Sequence, residues 1–135
     1  MNQFEYCDRV NGLPWVNRAE GPNAYDCWGL VLDSFRQVDN LELPQISGYA
    51  DHNVSTEDAA DGAQNMRCFK PCKPQDGAIM ALFNTKGQIT HVGRCLAGRV
   101  LHATSGLGVV WETYPAITKR YGKLVQYFQF LPDRA

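Results

Sequence analysis

The second half of the chain breaks into short apolar or alternating runs: Ala78–Phe83, Ile89–Cys95, Val100–Thr104, Val109–Thr113 and Leu124–Leu131. Between them stand "NTKG", "LAG" and "SGLG". Runs of this length and period, punctuated by glycine turns, are strands that pair with their neighbours. The pattern predicts an antiparallel meander of about five strands. Nothing in the first half has that period. Residues 1–10 read as a short helix. "NGLPWVNRAEGPNAYD", from Asn11 to Asp26, holds two Gly and two Pro and reads as a loop, with Trp15 as a packing anchor. From Cys27 to about Val38, the positions Leu30, Val31, Phe35 and Val38 fall on one helical stripe, with Asp26 as a natural N-cap. Residues 39–54, which contain Pro44 and Gly48, read as irregular. Ser55–Met66 reads as a short polar helix with Ser55 as cap and Glu57 and Asp58 in its first turn. "KPCKPQDG", ending at Gly77, reads as another loop. Helices first and a sheet afterwards make an α+β domain with one core. A length of 135 residues suits one domain and is short for two, so residues 1–135 are taken as a single unit.

Charge and composition remove several functions. The net charge is -1 and there is no basic run, which argues against nucleic acid as a partner. No apolar stretch approaches the roughly 20 residues of a membrane span. The first residues, Met1 to Asp8, have neither the basic start nor the apolar stretch of a secretory signal, so the chain is expected to be made in the cytoplasm without one. Five cysteines, Cys7, Cys27, Cys68, Cys72 and Cys95, are an odd number, and a full disulfide framework is not expected. Cys68 and Cys72 form C-x3-C. With no second such pair and only three histidines, buried thiols are favoured over a zinc site.

One of those thiols sits at a helix start. A helix N-terminus carries partial positive charge and unpaired N–H groups. A cysteine there loses its proton more easily, and the same N–H groups can hold an oxyanion. Gly29 allows close approach of another chain segment or of a substrate. Cys27 therefore has the position of a nucleophile, although a small buried residue at a helix start is the plainer reading. A nucleophilic thiol needs a base, and the base needs an orienting group. His52 lies in the irregular "YADHNVS", His91 in the strand "QITHVGRC" and His102 in the strand "RVLHATS". If Ala97-Gly98 is a two-residue hairpin loop, Gly93 faces His102, and His91 lies on the same sheet face, diagonal to His102. A three-residue loop would put the two histidines on opposite faces.

"YDCWGLV" (Tyr25–Val31), "DGAIMALFN" (Asp76–Asn84) and "HVGRCLAGRVLHATSGLGVV" (His91–Val110) together resemble the NlpC-type cell-wall cysteine peptidases. The resemblance runs from about Trp15 to Val110. It implies a papain-like α+β fold, with N-terminal helices on the sheet and the nucleophilic cysteine at a helix N-terminus. It implies Cys27 as nucleophile, His91 as general base and His102 as the residue that orients His91. Tyr25 matches a tyrosine that helps shape the oxyanion site. Asp26 matches a residue that in several members meets the free amine of the stem peptide, while helix capping accounts for it equally well. Trp28 replaces the serine that usually shares that contact, which puts the contact in doubt. The implied activity is a thiol hydrolase cutting peptidoglycan stem peptides at a γ-D-glutamyl–diaminopimelate bond, with no metal or cofactor.

The form with Trp28 looks most like versions found among phage tail proteins. That implies a virion or tail-like particle, with tail-tip proteins as partners and the cell wall or periplasm as the place of action. Two alternatives stand beside it: a structural tail-tip protein that keeps the fold, and a related thiol amidase or acyltransferase. Trp15, Trp28 and Trp111 ringing a groove beside Cys27 would favour a peptide site, and a flat outer patch would favour docking. Arg94 and Cys95 depart from the usual apolar pair after "HVG".

Overall fold

The apolar runs of the second half do pair as antiparallel strands, and tight turns set their register. The computed structural model describes residues 1–43 and 68–131. In it β2 (Ile79–Phe83), β3 (Ile89–Leu96), β4 (Arg99–Thr104) and β5 (Gly108–Glu112) lie side by side in chain order; β1 is described below. The β3–β4 loop is Ala97-Gly98, with φ of 48° and 82°. Two successive positive φ values are what a two-residue hairpin needs if its twist is to match the strands. The loop fixes Arg94 opposite Leu101 and Cys95 opposite Val100.

The sheet has six strands rather than about five, and it is more than a meander. β6 (Val125–Phe130) returns to pair with β2, and β1 (Phe69–Cys72) pairs with β6, giving the order β1-β6-β2-β3-β4-β5. Part of the supposed loop "KPCKPQDG" is thus a strand. Pro71 disguised it: proline cannot donate to a ladder, but an edge strand tolerates it, and β1 is an edge. A helix also lies where the sequence suggested none, α3 (Tyr114–Tyr121), followed by a 3-10 turn at Gly122–Leu124. Thr113 caps it by accepting from the Ala116 N–H at 3.3 Å, and a proline sits in its first turn.

α1 (Gln3–Val10) and α2 (Cys27–Ser34) precede the sheet. α2 runs on as a π-helical turn over Phe35–Asp39 and stops at Asn40, whose φ is 57°. Eight residues are too few to hold a helix in water, so packing holds α2. Leu30, Val31 and Leu32 are wholly buried, each contributing about 1.5–3 kcal/mol. One face of the sheet packs on α1 and α2 in two clusters, through Ile79, Ala81 and Val92 in one and Leu96, Leu101 and Ala103 in the other. The opposite face packs on Ile117 of α3 through Met80, Cys95 and Val100. The architecture is α+β. His52 and the expected polar helix Ser55–Met66 lie outside the described residues, as does most of the irregular 39–54 stretch. No helix among the described residues is long and apolar enough to cross a membrane.

Candidate active site

The start of α2 is built by the loop before it. Asp26 caps the helix: its Oδ1 accepts from the Gly29 N–H at 2.6 Å, and its Oδ2 accepts from the Arg18 N–H at 2.9 Å. The Asp26 N–H donates to the Ala19 carbonyl at 2.9 Å. A Cβ on Gly29 would overlap that same carbonyl oxygen, so the glycine lets the loop lie against the helix. The result presses Cys27 against β3, with only 3% of the residue exposed. Burial first, and the Asp26 charge second, push its thiol up to about 12; the N–H groups of Val92, Trp28 and Cys27 itself pull the other way. Three backbone N–H groups thus favour the thiolate. One belongs to the residue that follows His91.

His91 and His102 meet. His91 Nε2 lies 2.9 Å from His102 Nδ1, with the rings at 74° to one another. Gly93 makes the meeting possible: a Cβ there would come within 2.8 Å of both the His102 Cβ and the Leu101 oxygen. Just before His91 the register slips, since Leu82 faces His91 while Phe83 faces Ile89. Thr90 is the extra residue of this bulge, a device that re-aims the side chains beside it.

His102 is wholly buried and reaches further, its Nε2 lying 2.8 Å from Glu112 Oε1. The Arg120 guanidinium donates to the same oxygen at 2.8 Å. Burial lowers the His102 pKa, Glu112 raises it and Arg120 lowers it. Tyr121 closes this side, its ring 6.2 Å from that of His91 and 6.4 Å from that of His102. Sequence reasoning missed Glu112, Arg120 and Tyr121. Glu112 was within reach of strand parity, because His102 faces Val110 and Glu112 lies two residues on, on the same face. The other two sit on the unforeseen α3.

The residues flanking Cys27 point to support. The Tyr25 hydroxyl donates to Asp33 Oδ2 at 2.7 Å, as does that of Tyr6 at 2.7 Å. Burial, and then Asp33, push Tyr25 up to about 12. Trp28 is 4% exposed and packs with Cys27, Val31 and Phe35. Trp15 and Trp111 pack on the other cluster of that sheet face. The three tryptophans therefore form neither a common ring around Cys27 nor one outer patch. The unusual Arg94 is buried, with its guanidinium 3.5 Å over the Phe35 ring and paired with Asp39 at 2.5 Å, tying β3 to the end of the helix. Beside it lies a cavity of about 300 Å³ lined by Phe35, Asp39, Asp76 and Phe130. All five cysteines are free, and among the described residues no group of His, Cys, Asp and Glu could hold a metal ion.

The profile of the NlpC/P60 family matches residues 12–126. The chain belongs to the NlpC/P60 family. Solved NlpC/P60 structures share its fold. One from Bacillus cereus is 16% identical with a TM-score of 0.67, covering 97% of this chain and 40% of its own. A lipoprotein-like one from Staphylococcus aureus is 18% identical with a TM-score of 0.63, covering 95% and 40%. The NlpC/p60 domain of the peptidoglycan hydrolase SagA is 16% identical with a TM-score of 0.59, covering 95% of both chains. The chain thus spans two fifths of the two larger proteins and nearly all of the SagA domain. No curated protein sequence matches it.

Proposed function

We propose that this NlpC/P60 domain is a cysteine peptidase of the bacterial cell wall, with Cys27 as nucleophile, His91 as base and His102 as the orienting residue. The observation that carries the reading is Cys27 as the first residue of α2, behind the Asp26 cap and packed with Val92 of β3, whose preceding residue His91 meets His102 at 2.9 Å. A thiol pushed toward 12 is inert alone. It becomes a nucleophile by passing its proton to an imidazole and remaining as the thiolate of an ion pair. The thiolate attacks an amide carbonyl. The oxyanion that forms takes up backbone N–H groups at the helix start, His91 protonates the leaving amine, and water then frees the thioester.

The substrate we infer is a peptidoglycan stem peptide cut between γ-D-glutamate and diaminopimelate, as the sequence resemblance implies and as the name of the SagA neighbour fits. Asp26 and Tyr25 serve this chemistry from below, the first by capping α2 and the second by bracing Asp33 on that helix; Trp28 seats the helix in the core. The setting we infer, from the Trp28 form of the motif, is a phage or phage-like tail that opens the wall locally during entry, docked to other tail-tip proteins. The deep burial of Cys27 favours one second reading, a tail-tip scaffold that keeps the residues but does not cut. Digestion of diaminopimelate-type peptidoglycan with mass analysis of the fragments separates the two. The peptidase reading predicts stem-peptide products that vanish in Cys27→Ala and His91→Ala. Identical fragments from wild type and both variants, or none from any, would sink it.

A further inference from the structure

His102 stands between two partners, and one arrangement of ring protons satisfies both. Glu112 Oε1 is 2.8 Å from His102 Nε2 and also accepts from Arg120. A carboxylate held by a guanidinium accepts and does not donate, so the proton must be on His102 Nε2. Burial disfavours a charged ring at this position. A neutral His102 with its proton on Nε2 carries a lone pair on Nδ1. The atom 2.9 Å from that lone pair is His91 Nε2, which must then be the donor. The lone pair of His91 is then on Nδ1, the nitrogen that can take up a proton.

These contacts form one diagonal across the sheet, His91 on β3, His102 on β4 and Glu112 on β5, with Arg120 reaching in from α3. We propose that Glu112 is a positioning residue that locks both histidines in the Nε2–H tautomer and so keeps His91 Nδ1 available as the base. The proposal rests on the reading of Cys27 and His91 as the reactive pair. Without Glu112 the His102 proton is free to sit on Nδ1. Two N–H groups would then face each other across the 2.9 Å gap, and the conflict is relieved when His91 moves its own proton to Nδ1. In that form it cannot take the proton of the thiol. Glu112 also assists the ion pair itself: when His91 becomes an imidazolium, the extra positive charge is passed along the hydrogen bonds toward a carboxylate. An amide in that place would offer an acceptor without the charge.

The chain has only three histidines, so long-range 1H–15N correlation spectra can resolve each ring. The wild type is expected to show His91 and His102 both protonated on Nε2 at neutral pH. In Glu112→Leu an Nδ1–H ring should appear for His102 or His91, and alkylation of Cys27 at pH 7 should slow by about 10–100-fold, the range found when the partner behind a metal-bound imidazole is removed. Glu112→Gln, which keeps an acceptor, should hold the tautomers while slowing alkylation less than Glu112→Leu does. A wild-type spectrum with the His102 proton on Nδ1 overturns the proposal even if Glu112→Leu fails to fold. So do unchanged tautomers and an unchanged alkylation rate in folded Glu112→Leu, which would leave Glu112 a structural link to Arg120. A protein with the expected tautomers that leaves peptidoglycan uncut would overturn the substrate assignment and not this one.

Discussion

At Cys27, position and activation pull apart. The helix start supplies donors to the sulfur, yet burial and the neighbouring Asp26 charge hold the proton on it. The carboxylate is there because a helix needs a cap, and asparagine caps about as well as aspartate. Asp26→Asn should therefore keep the helix cap, give up the bond from the Arg18 N–H because an amide nitrogen cannot accept it, and move the onset of Cys27 alkylation to lower pH. Its effect on peptidoglycan cutting settles the second role that the resemblance implies for Asp26. Loss of cutting from a thiol that has become more reactive would show that the carboxylate meets the amine of the stem peptide. Retained cutting would leave Asp26 as a cap alone. The roles of Cys27, His91 and His102 could be posed from the sequence because each belongs to a short motif. The commitments of Tyr25 to Asp33 and of Trp28 to the core could not, because the first is shared with Tyr6 of α1 and the second depends on packing with distant strands.

Among the elements, the β3–β4 hairpin does most to assemble the site. The sequence offered its two-residue loop as one of two possibilities, and the Ala97-Gly98 turn with its register decides for the shared face of the two histidines. The glycine in "HVG" has its reason here, as the gap across which the rings join. Gly93→Ala would put a methyl group 2.8 Å from the His102 Cβ and the Leu101 oxygen, neither at the end of a flexible side chain. We expect a loss of about 1–3 kcal/mol in denaturant unfolding, typical of overpacking. The His91–His102 ring signals should shift, and Cys27 reactivity should fall further than unfolding alone explains. Other elements hid for local reasons. β1 carries a proline, and α3 is a single short amphipathic stretch whose apolar residues are few, so Thr113 and its first-turn proline were the only marks of its start. With α3 unseen, Arg120 and Tyr121, which close on Glu112 and the two histidines, had no element to stand on.

Over the whole molecule, a sheet sealed on one face by α1 and α2 and on the other by α3 keeps His102 dry. That has a cost in acid. In the unfolded chain this imidazole takes up a proton near its ordinary value of 6.5, while in the folded chain its pKa is lowered. Between those two values the unfolded state binds more protons, so stability falls as pH drops below about 6.5. Chemical denaturation between pH 7 and 5 should show that loss, and His102→Asn should show a shallower one. An equal slope in both proteins would mean that other groups govern the acid limb. The α+β class and the family were legible from motif order along the chain, "YDCWGLV" before "HVG" before "LHA", and the β3–β4 hairpin is what brings His91 and His102 together.

The central claim is that His91 makes a thiolate of an otherwise inert Cys27. The direct test is the pH dependence of alkylation at Cys27, read by peptide mass spectrometry against the other four cysteines. The account predicts that Cys27 labels readily at neutral pH, on a plateau that extends below the range of an ordinary thiol, and that His91→Ala slows labelling at pH 7 by at least ~100-fold, as expected when a thiol loses its ion-pair partner. Labelling that rises only toward strongly alkaline pH, with the same profile in His91→Ala, would contradict it.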